Sequence, residues 1–243
     1  MVFAFSRSVR HSALMPVTRR ERLRVATVEE IKAAALDQIA SAGAQGLSMR
    51  GIARTIGMSP AGLYRYCTGL DELITELITD AYNDLADAVF SATTALCSPR
   101  DQLRAGMLAY RRWGLDNRNR FLLIFGTPIP GYAAPEGGPT TAANRRIGEA
   151  FFAIGAAAWR EGGFEAAAVN HGLEPAEERF AAEVAPGFPA AAVRAFLSAW
   201  AHFHGIVTLE ILHQLDWIYA NPDAFYRGEV EAIADRLFGA VAD

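Results

Sequence analysis

The sequence predicts an all-α protein, with an N-terminal three-helix domain containing a helix-turn-helix and then a larger helical bundle. Three observations carry that prediction. Alanine abounds and β-branched runs are scarce in a chain of 243 residues and 51% hydrophobic content, which favours helices and allows a large core. Apolar residues recur at three- and four-residue intervals, the period of a helix with one buried side. Glycines, prolines and Ser-Pro pairs cut the chain into pieces of helical length.

The first helix is expected to start at Thr27, where Thr27 and Glu30 have capping-box spacing. It should stop at Gly43 after an inner stripe of Ile31, Ala35 and Ile39. Ser48 can cap a second helix with Ile52, Ala53 and Ile56 inward and Arg50 and Arg54 outward. Gly57 suits the left-handed conformation that closes a helix, and Ser59-Pro60 restarts the chain as N-cap and first-turn proline. The intervening turn is three residues long, and the third helix is expected over 60–67 with Leu63 inward. A long amphipathic helix follows over 70–96, its buried side marked by Leu73, Leu77, Leu85 and Val89. The next spans 100–117 through Leu103, Met107, Tyr110 and either Trp113 or Gly114, and 120–125 is a short apolar helix. The Pro- and Gly-rich stretch 127–140 reads as loop. Helical periodicity returns over 141–162 through Ile147, Phe151, Ile154 and Ala158, and 164–189 offers only a short helix around 175–184. An apolar helix over 190–215 contains Trp200, Gly205, Leu209 and Leu212, and Asn221-Pro222 opens a last one that reaches Phe238.

The segment 48–66 carries the chemistry. Two short helices joined by a tight glycine turn cross steeply, which frees the second to enter a major groove. Gly62 within a helix costs about 1 kcal/mol relative to alanine, which suggests a backbone kept clear for close approach, with DNA as the expected visitor. An ordinary αα-hairpin with a stray glycine is the plain alternative. Charge favours DNA. The chain has formal net charge −4, yet residues 1–70 hold ten Lys/Arg against four acids, net +6, leaving −10 on 71–243. Arg19, Arg20, Arg22 and Arg24 form a cationic arm before the first helix, suited to phosphate or minor-groove contact and equally to solvation as a tail.

Other function classes find little support. Cys67 and Cys97 are too few for a disulfide framework and lack metal-ligand spacing, so an intracellular, cytoplasmic protein is expected. No apolar run approaches the roughly 18–20 residues of a membrane span. The first twenty residues place arginines where a secretory peptide has its apolar centre, and read as a disordered leader. His202 and His204 point to different sides of a helix, and neither they nor His213 has a carboxylate at a useful helical offset, so no metal is expected. Motifs for nucleophilic, phosphate-cradling or zinc-protease chemistry are missing, and neither an enzyme nor a cofactor is expected.

With the 31–43 helix, the run LSMRGIA over 47–53, Gly57, Ser59 and Leu63-Tyr64, the N-terminal region resembles the tetracycline-repressor (TetR/AcrR) family of transcriptional regulators. Trp200, His204 and Gly205 are similar to the Trp-His-Gly signature of one C-terminal subfamily. The resemblance implies a homodimer that reads a palindromic double-stranded operator, most often as a repressor, while the body binds a small-molecule effector that respaces the two heads. With the basic arm read from charge, the chain is expected to divide into a disordered basic arm (1–26), a DNA-binding domain (27–70) and a ligand-binding and dimerisation domain (71–243).

By position, Arg50 matches a base-contacting place suited to guanine, and Ser48 and Ser59 match helix caps, the former touching phosphate. Pro60, Ala61, Gly62 and Tyr64 match groove-facing positions, Tyr64 and Tyr66 can bond phosphates, and Lys32 and Arg65 are weaker candidates. Cys67 and Leu70 depart from the family pattern, which has an aromatic residue and a phosphate-binding lysine there; each subunit is expected to hold one phosphate fewer. Among central rings, Trp113, Phe121, Phe125, Phe151 and Trp159, with His204, are candidates to line an effector pocket, although plain core explains most of them. His204-Gly205 also reads as a close helix crossing with the imidazole bonded to a buried partner. The helices over 190–215 and 222–238 are the dimer candidates by family analogy, internal packing being their other use. A ligand-independent DNA-binding protein, or an interaction module with a degenerate reading head, is the alternative.

Overall fold

The computed structural model describes residues 18–161, 174–184 and 188–239, and among these every regular element is helical. Residues 1–17 of the expected leader and much of the irregular stretch 164–189 lie outside the described residues.

Helix α1 (Arg19–Ala42) begins two turns earlier than expected. The capping box is Thr18 with Glu21: the Thr18 hydroxyl accepts the Glu21 amide and the Glu21 carboxylate accepts the Thr18 amide at 2.8 Å. These bonds, that from the Thr18 backbone foremost, hold the Glu21 carboxyl below its usual range. Residues 19–26 are therefore helical, which corrects the expectation of a disordered arm there. Arginine is a good helix former, and Thr18 with Glu21 supplies the same capping pattern as Thr27 with Glu30, nine residues earlier.

Helices α2 (Met49–Thr55), α3 (Pro60–Leu63) and the start of α4 (Leu70–Thr93) complete the head. Ile31, Ala35 and Ile39 of α1, Ile52 and Ala53 of α2, Leu63 of α3 and Leu73 and Leu77 of α4 share one buried cluster, which also takes in Leu123 from far along the chain. α3 is shorter than 60–67. Beyond Tyr64 the chain tightens, Arg65 and Tyr66 donating to the carbonyls of Gly62 and Leu63, and this brings Cys67 into the core beside Leu63.

The body consists of α5 (Pro99–Asp116), α6 (Arg118–Phe125), α7 (Pro139–Arg160), α8 (Pro175–Val184), α9 (Ala190–Ile211) and α10 (Asp223–Phe238). Helices α4 and α9 stop at Thr93 and Ile211, short of the expected 96 and 215. α5 lies at the centre against α4, α7, α9 and α10. It buries Leu103, Met107 and Tyr110, and both Trp113 and Gly114 turn inward. Tyr226 of α10 donates its hydroxyl to the Met107 carbonyl at 2.8 Å, and burial pushes the Tyr110 and Tyr226 phenols up. Arg111 bonds both Glu210 oxygens and Asp223 at 2.7 Å each, tying α5 to α9 and α10.

Candidate nucleic-acid interface and ligand cavity

The geometry of the reading head follows from its caps. The Ser48 hydroxyl accepts the Gly51 amide at 3.2 Å, while the Ser48 amide donates to Gln38 Oε1 of α1 at 3.1 Å, so the start of α2 is fastened to α1. A Cβ on Gly51 would sit 2.6 Å from Gln38 Nε2 and 2.8 Å from Ser48 Oγ. Sequence reasoning missed Gln38 and Gly51; a glycine three residues after a capping serine is the signal that points to them. Gly57 takes φ 66°, the Ser59 hydroxyl accepts the Gly62 amide at 3.1 Å, and Pro60 opens α3.

This frame buries Leu63 completely and leaves Arg50, Arg54, Ser59, Pro60, Ala61, Tyr64 and Arg65 exposed, Tyr64 at 52%. The guanidinium groups of Arg50, Arg54 and Arg65 have no partner among the described residues. Gly62 is half-buried, and a Cβ there would meet Met58 Cγ and Ser59 Oγ at 3.1 Å, so the chain itself uses part of the room. Tyr66 packs half-buried against the head core, with the Arg24 guanidinium 5.4 Å from its ring centre.

Two positions fall elsewhere. Lys32 bonds Asp80 at 2.8 Å with Glu76 at 3.4 Å, both on α4, so its charge is neutralised inside the molecule. Cys67 is buried with its thiol pushed up, mainly by burial, and Leu70 lies against the head core where the family pattern has a phosphate-binding lysine. The first turn of α4 is acidic: Glu72 bonds the Thr68 amide, which lowers its carboxyl.

A cavity of about 640 Å³ opens between α7 and α9, closed by α6, α8 and α5. Phe125, Phe151, Phe152, Phe180, Phe196, Trp200 and Phe203 give it an aromatic wall, and Thr141, Asn144, Arg145, Glu149 and Glu183 give it a polar rim. Of the predicted lining residues, Phe125 and Phe151 are in the wall. Trp113 is core, packed under the Arg120 guanidinium, and Phe121 is fully buried against Tyr110 and His204. Trp159 stands 40% exposed, two turns beyond the wall on α7. These three correct the expectation: they share helices with the wall but not its side. His204 lies one layer behind, stacked between Trp200 and Phe121, its Nδ1 2.8 Å from the Tyr110 hydroxyl. Burial lowers its pKa. The buried partner exists, but a Cβ on Gly205 would meet nothing within 4 Å, so Gly205 marks no close crossing within the described chain.

Among the described residues no group of His, Cys, Asp and Glu could hold a metal ion, and no helix is long and apolar enough to cross a membrane.

Residues 31–77 match the tetR family of bacterial regulatory proteins, and residues 103–233 match the tetracyclin repressor-like C-terminal domain. The HTH-type transcriptional regulators Mb1846 of Mycobacterium bovis and Rv1816 of Mycobacterium tuberculosis are each 35% identical over 214 residues, spanning 80% of this chain and 83% of theirs. The crystal structure of the regulatory protein SCO4313 superposes with a TM-score of 0.70 at 35% identity, covering 89% of this chain and 98% of that one. AibR, solved with isovaleryl coenzyme A and operator DNA, has the same fold at a TM-score of 0.56 and 16% identity, covering 88% of this chain and 99% of its own.

Proposed function

Because the chain belongs to the tetR family of bacterial regulatory proteins and is a DNA-binding transcriptional regulator, we infer that it is a cytoplasmic homodimeric repressor released from a palindromic operator by a small-molecule effector. One observation carries the reading: the α2–α3 unit buries Leu63 while holding three unpaired guanidinium groups and Tyr64 in solvent. Leaving cations unpaired beside a rigid, capped helix suits a polyanion. In this role Arg50 reaches guanine, Pro60, Ala61 and Gly62 line the groove, and Ser48, Tyr64 and Tyr66 meet phosphates.

The dimer forms through α9 and α10. Gly205 and Gly228 open onto empty space, and Leu209 and Leu212 of the same region are each more than 40% exposed, apolar surface of the kind that a symmetric partner covers. The effector occupies the aromatic cavity. Its chemistry calls for a ring-bearing or otherwise apolar body with a polar end at the rim of Asn144, Arg145 and Glu149.

Selection of bound duplexes from a random pool tests the reading. A palindrome should emerge, and Arg50→Ala should weaken binding by about 1–3 kcal/mol and relax preference at one base per half-site. Recovery of no preferred sequence would refute operator reading. For the effector, ligands that quench Trp200 fluorescence should release the selected duplex, and Phe151→Ala should shift both titrations together.

A further inference from the structure

The α2–α3 face is flanked by a second cationic surface for which that unit does not account. Residues 18–26 are all exposed, with Leu23 at 58% and Val25 at 61%, so the first two turns of α1 stand clear of the core. They carry Arg19, Arg20, Arg22 and Arg24 against one acid, Glu21, whose carboxylate is engaged by Thr18. Two turns without a buried residue gain nothing from packing; the capping box makes them a rod. Arg24 aims it: its Nη1 donates to the Arg65 carbonyl at 3.3 Å and its guanidinium lies over Tyr66, so the rod is pinned where the chain leaves α3. Arg20 lies one turn before Arg24 on the same side of the helix. Neither Arg19 nor Arg20 has a partner among the described residues. The first turn of α4, which follows α3 in the chain, offers Asp71 and Glu72 and no cation.

We propose that the first two turns of α1 form a second DNA-binding surface, in which Arg19 and Arg20 neutralise backbone phosphates beside the groove entered by α3, with Arg24 as the positioning residue. The proposal rests on the DNA-binding reading above. The acidic body of a second copy is the competing occupant; DNA is favoured because the rod is continuous, through Arg24, Arg65 and Tyr66, with the exposed α3 face.

The test uses the full chain and a duplex that the wild type itself recovers from a random pool, with affinity measured between 50 and 200 mM salt. Arg19→Ala/Arg20→Ala should weaken binding and lower the slope of log K against log salt by about 0.9 for each phosphate no longer neutralised, or roughly 3.6 across a dimer. Its base preference and melting temperature should stay those of the wild type. Arg24→Ala should give a partial loss in slope. Arg179→Ala, an exposed charge on α8, controls for net charge and should leave the slope unchanged. The proposal is overturned if the double variant keeps wild-type affinity and slope while Tyr64→Ala loses affinity; the DNA-binding reading then stands alone. A double variant that changes sedimentation mass instead of slope would give the surface to a second copy. If the wild type recovers no duplex, the reading and the proposal fall together.

Discussion

Three arginines of the head and three of the body are treated in opposite ways. Arg50, Arg54 and Arg65 stand in solvent without partners among the described residues, whereas Arg111 is clamped by Glu210 and Asp223, Arg104 by Asp101 and Glu231, and Arg146 by Asn83 and Asp87. Arg111, Arg104 and Arg146 hold body helices to one another, while Arg50, Arg54 and Arg65 are left to solvent. Three tyrosines show the same contrast, Tyr64 being half in water while Tyr110 and Tyr226 lie fully buried on hydrogen-bonded partners. The head turns polar and cationic groups outward, whereas the body folds its aromatic rings around a cavity.

Three experiments would break or sharpen that contrast. The largest effect is expected for Arg111→Ala, which leaves the mostly covered Glu210 without its cation and should cost roughly 3 kcal/mol in urea denaturation. Operator affinity below the melting transition should be unchanged; a parallel loss of DNA binding would mean that head and body are one mechanical unit. Gly57→Ala should be next. A side chain forced to φ 66° costs about 1–2 kcal/mol, and the strain falls on the turn that sets α3, so operator affinity should drop while effector quenching of Trp200 persists. The smallest effect concerns His204. Its pKa is lowered by burial from the ordinary 6.5, so above that range both folded and unfolded chains hold it neutral and the stability is whole. As pH falls, the unfolded chain takes up the proton first and stability declines until the lowered folded value is passed. The urea midpoint should therefore fall between pH 8 and pH 5.5, and His204→Gln should flatten the decline; an unaltered profile would remove the imidazole from the account.

The sequence was most legible where structure is local. Ser48, Gly57, Ser59 and Pro60 act within a few residues of themselves, and each takes the cap or turn its type dictates. The start of α1 was ambiguous because Thr18/Glu21 and Thr27/Glu30 fit one template, and propensity does not choose between them. Lys32 could not be placed from sequence, since its partners on α4 are separated from it by 44 to 48 residues. The cavity was harder again. Phe121 and Phe125 lie one turn apart on α6 and both touch Tyr110 and His204, yet Phe121 is fully buried in the core and only Phe125 reaches the wall. Periodicity tells which rings turn inward, not which inward rings face empty space.

Leu123 is 9% exposed among head residues although α6 carries it, and Tyr132 follows by bonding Thr75 of α4 at 2.9 Å. Anyone building chimaeras by exchanging reading heads between this chain and a relative must therefore transplant the plug as well as the socket: a graft ending within α4 would put a foreign floor beneath Ile74 and Leu77 and leave the host's own leucine facing a surface it was never shaped to fill.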